Sequence, residues 1–126
     1  MQKIVFLGLA GVAGTLGRYW LSSLIAARYG ERFPVGTLVV NTIGCLLAGF
    51  LFYLMSERFD AGETARSIAF VGFLGAFTTF SAYELQTFTL LRDGEFPLAV
   101  LNVVASNLLG LSMVWGGYAL ARVVAA

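Results

Sequence analysis

The side chains able to act on a solute are neutral hydrogen-bond donors, and they sit inside apolar stretches. Gly75-Ala76-Phe77-Thr78-Thr79-Phe80-Ser81-Ala82-Tyr83 sets two threonines and a serine among aromatic rings. Thr37 and Asn41 are four apart, as are Asn102, Ser106 and Gly110, with Asn107 beside them. That spacing stacks side chains on one face of a helix. Hydroxyls and carboxamide NH2 groups filed in this way form a track of donors. The track is poor in acids, so it suits an anion or a neutral solute better than a cation. The competing fate of such groups is to bond from helix to helix as glue.

The run Gly75–Tyr83 has two possible conformations. Gly, two β-branched Thr and a Ser in succession weaken helix propensity. If the helix breaks, carbonyls lose their partners, and hydrocarbon tolerates that only where the backbone is buried or lines a polar cavity. A hard cation is one way to satisfy such oxygens. If the helix continues, the hydroxyls bond back to carbonyls one turn earlier. Arg18 and Glu84 are the only charges within apolar stretches. Arg18 can snorkel to a headgroup or lend positive potential to an anion vestibule. Glu84 can pair with it or sit in a watery mouth, and either can be merely structural.

The elements that must position these groups follow from composition. Of 126 residues, 59% are hydrophobic and 12% charged, with mean hydropathy +0.84. A soluble domain is nearer about 45–50% apolar and about 25% charged. A spanning helix takes about 20 mostly apolar residues, and four stretches qualify: roughly 4–27, 37–55, 67–91 and 97–121. Short charged loops join them, so 1–126 reads as a single all-α integral membrane domain. The first stretch is too long and too weakly basic at its start for a cleaved signal. Trp20, Phe33, Tyr53, Phe96, Trp115 and Tyr118 fall near span ends, as interfacial anchors do. Cys45 reads as a small packing residue.

Several function classes drop out. There is no His and one Cys, which removes His-based acid–base chemistry, His metal sites and internal disulfides. No activated nucleophile pair or carboxylate dyad is present. The net charge of +1 leaves no nucleic-acid footprint, and no Gly-rich loop ending in Lys-Ser/Thr offers a nucleotide site. Lys3, Arg58, Arg66 and Arg122 share one side of the bundle, against Arg28, Arg32 and Arg92 on the other. Four against three is no topological bias, so the chain is expected to insert both ways, giving a population able to form an antiparallel homodimer. Gly8, Gly11, Gly14 and Gly17 recur every third residue of the first span, allowing close approach of a backbone from the same subunit or another.

These motifs resemble a known family. Gly75 to Tyr83, centred on Thr78-Thr79-Phe80-Ser81, is similar to the third-helix signature of the Fluc/CrcB fluoride channels. Gly36-Thr37-Leu38-Val39-Val40-Asn41 resembles their second-helix pore motif, and Gly14-Thr15-Leu16-Gly17-Arg18 their glycine–arginine motif. The resemblance runs over the whole chain. It implies a third helix broken near its middle and an antiparallel, dual-topology homodimer in the cell inner membrane. Two fluoride pores would each be lined by both copies, and fluoride would leave the cytoplasm passively. It also implies a structural sodium ion at the dimer centre, not transported, held by main-chain carbonyls that match Gly75 and Thr78. The pore Asn matches Asn41, and the ring-edge aromatics match Phe80 and Tyr83, the second usually being Phe. Fourth-helix polar positions match Asn102 and Ser106, though many relatives carry Tyr at the former.

The alternative is a small multidrug exporter that trades protons for a cationic drug. Such proteins place the required carboxylate in their first helix, where this chain has Arg18; its one embedded acid, Glu84, lies in the third span. A non-transporting assembly subunit is the remaining rival.

Overall fold

A computed structural model describes residues 1–125; of the domain expected over 1–126, only Ala126 lies outside the described residues. The described chain is helical and contains no strand. Four helices are long and apolar enough to cross a membrane: α1 (Gln2–Tyr29), α2 (Val35–Arg58), α3 (Glu63–Arg92) and α4 (Phe96–Val124). Apolar residues dominate every face of these helices, which is the pattern of a span rather than of a surface helix. Pro97 in the first turn of α4 starts it without losing an intrahelical bond. Gly30 and Gly94, at φ 77° and 78°, turn the chain where a side chain would be strained.

The helices run alternately up and down. At one end Lys3 pairs with Glu63 at 3.3 Å, the Tyr118 hydroxyl donates to Glu57 at 2.9 Å, and Arg58 Nε donates to the Ala125 carbonyl at 2.9 Å. At the other end Arg32 meets Glu95 at 3.3 Å. Both termini therefore lie at the same end.

Lipid is as apolar as leucine, so helix association rests on close packing rather than on the hydrophobic effect. The α2–α4 crossing shows how the sequence secures this. A Cβ at Gly49 would run into the Val114 carbonyl, and one at Gly117 into the Leu46 carbonyl. Val40, Leu74, Phe77, Ala99 and Ala121 are buried at the centre, while Leu9, Leu24, Leu111 and Trp115 face outwards. An exterior of that kind is stable in hydrocarbon and costly in water.

Candidate functional site

The site is assembled around α3. Its first half is wound widely over Ile68–Leu74, with Gly75 N–H bonded five residues back to Phe70. The close approaches that need glycine lie on either side of Phe77: a Cβ at Gly14 would strike the Phe73 carbonyl, and one at Gly44 would strike Thr78 Cγ2, while Gly17 lies in ordinary contact with the Phe77 ring. Phe73 stacks on Phe77 with centroids 5.7 Å apart. Gly11, Gly14 and Gly17 thus face α3 of the same subunit, whereas Gly8 faces open space.

Immediately after Phe77, Thr78 (φ −87°, ψ 160°) and Thr79 (φ −150°, ψ 113°) are extended, and helix resumes at Phe80–Arg92. Thr78 is fixed by its own turn: its N–H and its Oγ1 both donate to the Leu74 carbonyl, each at 2.9 Å. Thr79 is held from α2. Its N–H donates to Asn41 Oδ1 at 2.8 Å, and Asn41 Nδ2 donates to its carbonyl at 3.0 Å. The Asn41 carboxamide replaces, donor for acceptor, the peptide group that a continuous helix would have supplied. Thr79 also caps the resumed helix, its Oγ1 accepting from Ala82 N–H at 3.2 Å.

The interruption leaves the carbonyls from Gly75 to Thr78 without helical donors, since Phe80 and Ser81 open the resumed helix and no bond joins their N–H groups to Ala76 or Phe77. In a continuous helix Thr79 N–H would bond Gly75 C=O, and Ala82 N–H would bond Thr78 C=O. Those two amides go instead to Asn41 Oδ1 and Thr79 Oγ1. The carbonyls of Gly75, an exposed residue, and Thr78, a half-buried one, lack their helical donors. On the far side of the interruption, the Phe80–Arg92 helix begins with its partial positive charge at mid-span.

The remaining candidates fall on either side of α4. Phe80 is 73% exposed, on the outer face of the subunit, with its ring centroid 5.7 Å from that of buried Tyr83. Asn102 is buried and donates to Thr87 Oγ1 at 2.9 Å; Thr87 in turn donates to the Tyr83 carbonyl at 2.8 Å. Asn107 Nδ2 donates to the Val103 carbonyl at 2.8 Å and reaches Tyr83 Oη at 3.4 Å. Ser106, half-buried, lies between them on α4. No motif marks Thr87 or Asn107 as a site residue. The signal for Thr87 was its place four residues after Tyr83 on the same face.

A cleft of about 1040 Å³ opens at the Arg32–Glu95 end, lined among others by Ser22, Ser23, Thr37, Gln86 and Thr89. Thr37 therefore stands in the mouth and Asn41 one turn deeper. Arg18 lies one turn below that mouth, its carbonyl accepting from Ser22 Oγ at 2.7 Å. Glu84 is exposed, and among the described residues no ion pair joins it to Arg18.

Residues 5–118 match the family model described as CrcB-like protein, Camphor Resistance (CrcB). The chain is 42% identical over 121 residues to the fluoride-specific ion channel FluC of Solibacter usitatus, covering 96% of this chain and 99% of the relative. It is 43% identical to the protein of that name from Desulforapulum autotrophicum, covering 98% of each. To that from Opitutus terrae it is 46% identical, covering 94% of this chain and 91% of the relative.

Proposed function

The chain belongs to the CrcB-like family, a family of multi-pass membrane proteins, and on that premise we propose that it conducts fluoride passively out of the cytoplasm across the inner membrane. It is a transport protein and not an enzyme. The working unit is an antiparallel homodimer of oppositely inserted copies, with Phe80, exposed on one subunit, facing the other.

Fluoride is small and strongly hydrated, so its path must replace water with donors. Asn41 spends one N–H on Thr79 and keeps the second. Ser81 is exposed beside Phe80, and the positive edges of the Phe80 and Tyr83 rings attract an anion without the grip of a full charge. Thr37 leads from the mouth, and Asn102 and Ser106 continue the polar line on α4. Arg18, one turn below the mouth, biases the vestibule towards anions. Release needs weak binding at each step, which neutral donors provide. The membrane potential drives the ion with about 2.3 kcal/mol per unit charge per 100 mV.

The sodium ion that the family resemblance implies fits the donor set, because the Gly75 and Thr78 carbonyls lack helical donors and hard cations accept such oxygens. These two carbonyls from each copy would hold it, and the ion would supply a fixed positive charge at the interface. The observation that carries the function is the interruption itself: at Thr78-Thr79 polar backbone is turned out of a helix at mid-span.

The test is efflux from proteoliposomes, followed with a fluoride-selective electrode against a chloride control. Rapid fluoride loss with negligible chloride loss is expected. Equal rates for the two ions, or flux of neither, would overturn it.

A further inference from the structure

Tyr83 differs from a phenylalanine by one hydroxyl, and the structure gives that hydroxyl a partner. Tyr83 is 8% exposed, so its phenol is withdrawn from lipid. Its Oη accepts from Asn107 Nδ2 at 3.4 Å, and Asn107 is itself steadied by its second donation, to Val103 O at 2.8 Å. Both N–H groups of the carboxamide are then committed. The other end of Tyr83 is fixed too, since its carbonyl accepts from Thr87 Oγ1, which accepts in turn from Asn102. A hydroxyl that accepts one bond keeps its own proton to give. Among the described residues nothing takes that proton. The ring lies beside Phe80, whose exposed face opens towards the proposed path.

We infer that Tyr83 and Asn107 form one functional pair: Asn107 positions the phenol, and the Tyr83 O–H donates to fluoride in the pore. A ring edge alone offers a diffuse positive rim. A phenol adds a directed, charge-assisted bond to the anion. Asn107 is in this account a positioning residue, acting through Tyr83.

The inference rests on the fluoride-channel reading, and a double-mutant cycle separates the two. Fluoride efflux is measured over a range of fluoride concentrations for wild type, Tyr83→Phe, Asn107→Ala and the double variant. Tyr83→Phe should still conduct, with the half-saturating fluoride concentration raised roughly tenfold, the scale of one bond to a charged group. Asn107→Ala should shift it in the same direction, and on the Tyr83→Phe background it should add nothing. Should Asn107→Ala aggregate in size-exclusion chromatography, Asn107→Leu, of similar volume and without a donor, takes its place. An unchanged half-saturation in Tyr83→Phe overturns the donor role. An equal effect of the Asn107 change with either ring overturns the pairing. Wild-type vesicles that release no fluoride overturn the channel reading, and the pair with it.

Discussion

At the scale of single residues, Asn41 has a structural duty shown by its bonds to Thr79 and a proposed one toward fluoride, which a sequence motif does not separate. Its carboxamide satisfies both backbone groups of Thr79, while one N–H is left for a solute. A buried group left without its partner costs about 1–3 kcal/mol. Asn41→Ala should therefore lower the thermal midpoint of the purified protein as well as its fluoride flux. Thr79→Val, which loses only the cap on Ala82, should cost less, about 0.5–2 kcal/mol. Thermal melts in detergent check the order. If Asn41 served the ion alone, its alanine variant would lose flux at full stability. The donor types were legible because few residues offer an N–H or O–H in an apolar chain. Their partners were not, since Thr79 lies 38 positions from Asn41 and only the meeting of α2 with α3 joins them. Asn102 shows the same limit: its spacing put it in a file with Ser106, and its buried partner Thr87 comes from another helix.

Among the elements, the four spans were open to reading because hydropathy adds up over about 20 residues, whatever the neighbours do. The run Gly75–Tyr83 was not decided by its own residues. Local propensity makes a break and a continuous helix comparable; Thr78 is tied to Leu74 within α3, and Thr79 is held from α2 by Asn41. Gly14 of α1 lets the α3 backbone come close at Phe73, and Gly44 of α2 leaves room for the Thr78 methyl group. Glycines are likewise ambiguous until their surroundings are known. Gly116 and Gly117 are neighbours on α4, yet a Cβ at Gly116 meets nothing within 4 Å while one at Gly117 meets the Leu46 carbonyl. Gly117→Ala should force α2 and α4 apart and cost about 1–3 kcal/mol, the usual scale of overpacking. Gly116→Ala should leave the melt unchanged or raise it slightly, through better helix propensity. A pair of thermal denaturation curves decides this; equal losses from both would mean that the crossing tolerates a methyl group.

For the whole molecule, the ends of the bundle matter more than its middle. Topology responds to Lys and Arg near the span ends, and acids contribute little. With four such residues at one end and three at the other, neither orientation is favoured by charge. Both termini lie at one end, as the Lys3–Glu63 and Arg58–Ala125 contacts require, so a single labelled site reports the orientation of the whole chain. In a Cys45→Ser background, a cysteine at Gly62, where nothing lies within 4 Å of an added Cβ, should be reached by an impermeant thiol reagent in roughly half the molecules. A cysteine at Glu31, in the opposite loop, should behave alike. Complete labelling at one site and none at the other would exclude dual insertion. Adding charge should then break the balance. Gly62→Lys with Thr64→Lys should drive one orientation, and Glu31→Lys with Asp93→Lys the other. Each biased protein, made alone, lacks antiparallel mates and should lose fluoride efflux. Co-expression of the two should restore it, because the proposed dimer needs one copy of each orientation and is indifferent to which copy supplies it.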